Sequence, residues 1–344
     1  MAEGEAQAGH MRPGFSRVAL VVIGLAVCDG SVIRIAQARD VKPSTLFPQR
    51  LDRRLLGEHE LSGPDARDVD HLRTQAEQGS AEAQFELGAL YLGGTAVDTD
   101  PEVAAAWWHK SAEQGYPLAQ VNLGLMYENG VGVTRNVEQA VHWFKRAAEN
   151  GDATAQLRVG EAYQDGLGVP QDQERAVAWW RKAAAQDNAA AQNYLGQAYK
   201  TGQGVARDDR QAVVWYQKSA DQGHATAQTN LGFMYRYGEG IMQDLVAAVA
   251  WWRRAAEQGN TTAQYNLAVA YYNGEGVTAD FVEAYVWAQV AITNAPGDSK
   301  EKYARLLAAL TKRMSPDAVG EARKRAKQQL DDLERRSGAD ASSL

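Results

Sequence analysis

From residue 80 to residue 295 the apolar and polar positions fall on a lattice of fixed period. Ala83, Ala119, Ala155, Ala191, Ala227 and Ala263 are each followed by glutamine, and each stands 36 residues after the last with no insertion. Tyrosine keeps the same phase at 91, 127, 163, 199, 235 and 271, and tryptophan at 107, 143, 179, 215, 251 and 287. All nine tryptophans lie in that column or in the next, which adds Trp108, Trp180 and Trp252. A constant period of this size is the mark of stacked supersecondary units, so six copies of 36 residues are expected to form a solenoid. Within a copy, Ala191, Leu195 and Tyr199 are spaced by four, the apolar stripe of one helix, and Ala176, Trp179, Ala183 and Ala184 give the inner face of a second.

Punctuation between the stripes supports two antiparallel helices per copy. Asp100, Asn136, Asp172, Asp208, Asp244 and Asp280 precede the second helix and suit its N-cap, with Pro101 at a first helical position. Gly115, Gly151, Gly223 and Gly259 suit its end, a pattern from which Asp187 and Ala295 depart. Paired glycines such as Gly166 and Gly168 mark the connection within each copy and are usually followed by valine. Glycine also sits inside the first helix at 88, 124, 160, 196 and 232, where its cost is tolerated if a neighbouring helix needs the space.

These columns closely resemble the Sel1-like repeat, a relative of the tetratricopeptide repeat. Ala155, Gly160, Tyr163, Gly166, Gly168, Val169, Ala176, Trp179, Ala183 and Ala184 carry the resemblance in one copy, and it covers 216 of 344 residues. It implies an all-α fold, a right-handed superhelical solenoid of antiparallel helix pairs. The end copies are the least regular: Ala96 replaces a loop glycine in the first, and Ala268 and Ala288 replace glycine and an aromatic in the last.

The flanks divide the remainder. Arg12 and Arg17 precede an apolar run from Val18 to Val27, and Ala36-Gln37-Ala38 follows, the order of a secretory signal over residues 1–38, with Met11 as an alternative start. The run is too short to span a bilayer, so no membrane span is expected in the mature chain. Cys28, the single cysteine, offers lipidation as the weaker alternative and excludes a disulfide framework or a cysteine zinc site. Residues 39–64 read as a flexible linker, 65–79 as a capping helix resembling an unpaired second helix, 296–336 as closing helices and 337–344 as a disordered tail. Periplasmic or secreted localisation follows from the signal.

Chemistry is sparse. The net charge of −7 and the absence of a basic stripe argue against nucleic acid as partner. The six histidines show no metal-ligand spacing, no nucleophile elbow is present, and the carboxylates mostly suit caps or outer helix faces, so neither catalytic residues nor a cofactor or metal is assigned. A solenoid offers instead an extended surface. By analogy with tetratricopeptide arrays the first helices line a concave groove, through the fifth, ninth and twelfth positions when the Leu195-type position is the seventh. The groove residues proposed for partner binding are Glu161, Gln164, Gln197, Lys200, Phe233, Arg236, Tyr237, Tyr265 and Tyr272, the aromatic and arginine members being the kind that anchor interfaces. The expected function is an exported, non-enzymatic scaffold or adaptor for a protein or peptide. The resemblance implies a role in cell-envelope assembly or signalling. The alternatives are a glycan- or peptidoglycan-binding module, which groove aromatics would allow, and an envelope enzyme of the β-lactam-hydrolysing type, whose cysteine pairs this chain lacks.

Overall fold

The computed structural model describes residues 66–94 and 97–343; the export segment, Cys28, the linker and Ala96 lie outside the described residues. Helix α1 (Ala66–Glu77) precedes six pairs: α2 (Ala81–Gly93) with α3 (Pro101–Glu113), α4 (Pro117–Asn129) with α5 (Val137–Glu149), α6 (Ala153–Asp165) with α7 (Gln173–Ala184), α8 (Ala189–Thr201) with α9 (Asp209–Asp221), α10 (Ala225–Tyr237) with α11 (Leu245–Ala256), and α12 (Thr261–Asn273) with α13 (Phe281–Asn294). Helices α14 (Gly297–Thr311) and α15 (Pro316–Ser343) follow, and no strand occurs among the described residues. Each first helix packs on the second helix of its own copy, which packs on the next first helix, so the chain stacks as an α-solenoid. Helix α15 runs to Ser343, through residues expected to be a disordered tail; no proline interrupts it after Pro316, and the helix is continuous across Gly338.

The six acidic or amide residues before the second helices all act as caps. Each accepts a hydrogen bond from a backbone N–H of the first turn, as Asp172 does from Arg175 at 2.9 Å. Their own N–H groups reach back: Asp172 donates to the Tyr163 carbonyl at 2.8 Å and Asp244 to that of Tyr235 at 3.0 Å, which closes every connection the same way.

The column glutamine ties one copy to the next. Gln120 donates to the carbonyl of Ala112 at 3.0 Å, and its own side-chain oxygen accepts from Asn150 at 3.3 Å; five copies repeat this double link. In the sixth the chain leaves α13 through Ala295 in extended conformation, and the buried Oε1 of Gln264 has no partner. Buried amides of this kind are costly unless satisfied, so the ladder sets the stacking register.

Glycine inside the first helix proves to be a packing contact. A Cβ at Gly160 would overlap the indole of Trp180, and one at Gly124 or Gly196 the ring of Phe144 or Tyr216. The sixth copy carries Ala268 and Ala288, both fully buried, where the other copies carry glycine and a ring. The two departures are one compensated exchange of size. The second connection glycine has a different reason: Gly204 has φ +69° and lies against the Gln173 carbonyl at the start of the previous second helix. Asp187 takes the same left-handed backbone as the glycines of its column, with φ 58°.

Candidate functional site: the first-helix face

Consecutive first helices are linked side by side. Asn230 donates to Asn193 at 3.1 Å, and the Tyr194 hydroxyl donates to Glu161. This contact decides which of the expected face positions stay open. The fifth position turns toward the next first helix, and Phe85, Val121, Asn193 and Thr229 are buried there. Phe85 lies between Trp108 and Tyr116, with centroids at 5.9 and 5.2 Å. The fifth column is therefore mostly covered, and the ninth and twelfth carry the partly open part of the face, except that Leu125 is also buried.

In the middle of the array Glu161 pairs with Arg158 at 3.2 Å and accepts from Tyr194, whose ring stacks on Trp180 at 4.8 Å. Desolvation pushes the Glu161 carboxyl up, against the opposing pull of Arg158; the same burial, with Glu161 beside it, pushes the Tyr194 phenol up. Gln164 accepts from Gln171 and Gln173 through its backbone carbonyl, and Gln197 accepts from Thr201 in the same way; both side chains are half-buried. Lys200 bridges Asp209 at 3.4 Å and Glu239 of the next copy at 2.7 Å.

Toward the C-terminal end Phe233 stacks on Tyr237 at 6.4 Å and meets Trp252 edge-on at 5.5 Å. Arg236 lies over both Tyr237 and Trp252 and pairs with Glu275 at 2.8 Å, the equivalent of the Lys200–Glu239 bridge one copy on. Tyr237 is 56% exposed. Tyr265 is stacked on Tyr303 of α14 at 4.6 Å with Lys302 above its ring at 4.4 Å, and Tyr272 packs on Phe281 beneath Arg313. Phe233, Arg236 and Tyr237 thus form one cluster, Tyr265 and Tyr272 are drawn into the closing helices, and Glu161, Gln164, Gln197 and Lys200 lie apart from both.

The sixth position, which reads Glu86, Asn122, Arg158, Tyr194, Asn230 and Asn266, lies between first helices: its asparagines suit inter-repeat hydrogen bonding, which Asn230 makes to Asn193, whereas Arg158 and Tyr194 are members that the spacing does not single out. Its copy-to-copy variation was the available signal. Among the described residues no group of three or more His, Cys, Asp or Glu is arranged to hold a metal, and no helix is long and apolar enough to cross a membrane.

A stack of short helix pairs with a varied face along one side defines an interaction solenoid. The Sel1 repeat family profile matches residues 81–116, 117–152, 153–188, 189–224, 225–260 and 261–295, and the chain belongs to that family of protein-interaction solenoids, which are mostly non-catalytic scaffolds. Among solved structures it is similar to a protective antigen present in uropathogenic Escherichia coli strains that displays an SLR fold, with 36% identity and a TM-score of 0.66 over 77% of this chain. The chain spans 57% of the length of that antigen. A Sel1 repeat protein from Oxalobacter formigenes is 34% identical with a TM-score of 0.61, over 65% of this chain and 90% of its own. No curated protein sequence shows significant similarity to the chain.

Proposed function

We propose that the chain is an exported, non-enzymatic adaptor that binds a protein or peptide on its first-helix face, in cell-envelope assembly or signalling. One observation carries the reading: Phe233, Arg236 and Tyr237 form an aromatic and guanidinium cluster on the face that remains accessible, with Tyr237 56% exposed. Large aromatic side chains flanked by polar groups supply contact area at low entropic cost, which is how interfaces concentrate their energy. That the similar E. coli protein is a protective antigen supports export.

The test is in-cell photo-crosslinking from Phe233 and Tyr237, each replaced by a photoreactive residue, with Arg181 as the control position. Arg181 is exposed on the second helix α7, where it donates to the Tyr199 hydroxyl at 3.2 Å. One protein captured from both face positions and not from the control is the expected result. Equal capture from all three overturns the assignment of the face.

A further inference from the structure

The first-helix face is electrically two-ended. Helices α2, α4 and α6 carry Glu82, Glu86, Glu128, Glu161 and Asp165 against a single cation, Arg158, whereas α8, α10 and α12 carry Lys200 and Arg236 and no carboxylate. At the acidic end a hollow of about 490 Å³ is lined by Gln75, Gln78, Ser80, Glu82, Ala83 and Glu86. Burial pushes the Glu86 and Asp165 carboxyls up, Glu82 adds to the effect on Glu86, and no cation offsets either. Half-buried apolar side chains, Leu92 and Leu157 among them, flank these carboxylates on the same helices.

The other end has the opposite imbalance. Lys200 and Arg236 are neutralised by Glu239 and Glu275, but Lys302 and Arg313 form no ion pair among the described residues. Lys302 holds its ammonium over Tyr265 at 4.4 Å, and burial lowers its pKa with no carboxylate to raise it. Between the two ends lie neutral amides, Gln164 and Gln197. Six first helices at about 9 Å spacing cover roughly 45 Å, the length of about 14 extended residues.

We infer that the docking segment of the partner is an extended peptide of matching polarity, with lysine or arginine among apolar side chains over α2, α4 and α6, and acidic side chains toward α12 and α14. This rests on the adaptor reading above and adds the chemistry and orientation of the partner. Charge complementarity along an elongated face fixes register and suppresses segments lying the wrong way round. The same pattern is formally complementary to itself in an antiparallel pair of chains, so a second copy is the competing occupant.

The experiment uses the purified full chain and a synthetic peptide of about 14 residues, half Lys and Leu and half Asp and Tyr. A composition-matched peptide with the charges alternating is the comparator, and a benzophenone is placed at either end for mapping. Fluorescence anisotropy at roughly 50 mM salt is expected to show the two-ended peptide binding about tenfold more tightly or better. Crosslinks from the basic end are expected within residues 82–165 and from the acidic end within residues 236–313. The set E86Q, E128Q and D165N should weaken binding about fivefold and disperse only the basic-end crosslinks, and K302Q with R313Q only the acidic-end ones. Equal binding of the two peptides, no binding of either, or both ends crosslinking to the same helices overturns the inference, while capture of a partner from Phe233 and Tyr237 in cells would leave the adaptor reading standing. A dimer in sedimentation that both variant sets dissolve would also overturn it, since the complement would then be a second copy.

Discussion

The seam between helices and the face that the first helices present are built from neighbouring positions of the same 36-residue unit, yet they follow opposite rules. In the seam the contact recurs with the copy: Gly88 under Trp108, Gly124 under Phe144, Gly160 under Trp180, Gly196 under Tyr216 and Gly232 under Trp252. Where it changes, at Ala268 and Ala288, both partners change. On the face the ninth position runs Ala89, Leu125, Glu161, Gln197, Phe233 and Val269 with no conserved volume or charge from copy to copy. Repetition therefore marks what holds the solenoid together, and variation along the stack marks what distinguishes one end of it from the other. Substitutions in the two regions should separate cleanly in their effect on stability.

The largest effect is expected at a seam glycine. In Gly160→Val the new side chain overlaps the Trp180 indole, which cannot swing aside because Tyr194 is stacked on it at 4.8 Å. Overpacking of this kind costs about 3 kcal/mol, enough to move a urea unfolding midpoint far outside error. An unchanged midpoint would break the distinction at its strongest point. The glutamine ladder comes next. Gln120→Leu keeps the volume but removes a donor to the Ala112 carbonyl and an acceptor for Asn150, for about 1–2 kcal/mol. The same change at Gln264 should cost less, since its Oε1 has no partner to lose. Equal losses at the two sites, measured by thermal melting, would mean that the ladder does not set the register.

A third test uses His224, a histidine that caps a helix. His224 accepts from the Ala227 N–H through Nδ1 at 3.3 Å, where Ser80, Asp152, Asn188 and Asn260 do the same in other copies. The bond needs the neutral ring, and burial lowers the His224 pKa below its ordinary value. The unfolded chain therefore takes up its proton first as the pH falls. Stability from this cap is complete above about pH 6.5, declines below it, and levels off once the folded-state value is passed. The loss should be near that of a cap, about 1 kcal/mol. His224→Asn retains a cap acceptor and should remove this part of the pH dependence, so melting both proteins at neutral and mildly acidic pH isolates it. The subtraction matters because Glu161, with its carboxyl pushed up, acts in the opposite sense.

The seam was legible in the sequence because six copies average out local exceptions, and each column has a single physical reason that every copy shares. The caps at Asp100 through Asp280 and the glycines under the rings could be placed from spacing alone. The face was less legible because its openness depends on how one first helix lies beside the next, a relation that periodicity within a helix does not contain. Phe85 and Val121 fall on the expected groove positions by spacing, yet both are buried, Phe85 between Trp108 and Tyr116. Arg158 and Tyr194 are unmarked by the spacing for the same reason: Arg158 meets Glu161 on its own helix and Tyr194 meets it from the adjacent first helix. Tyr265 and Tyr272 could be placed on the face, but not beneath α14 and its flanking Arg313.

The smallest stability effect is expected where the proposed function concentrates. Tyr237 ends α10 with more than half its surface in solvent, its contacts being the edge of the Phe233 stack and the Arg236 guanidinium. Tyr237→Ser removes neither a ladder hydrogen bond nor a ring from the glycine seam, so the unfolding midpoint should shift by no more than about 0.5 kcal/mol. A tyrosine exposed at the end of a helix contributes little to the fold it sits on. If the variant instead melts as far down as Gly160→Val, Tyr237 belongs to the packing of the stack, and the argument that the varied face is free for a partner fails at its most exposed residue.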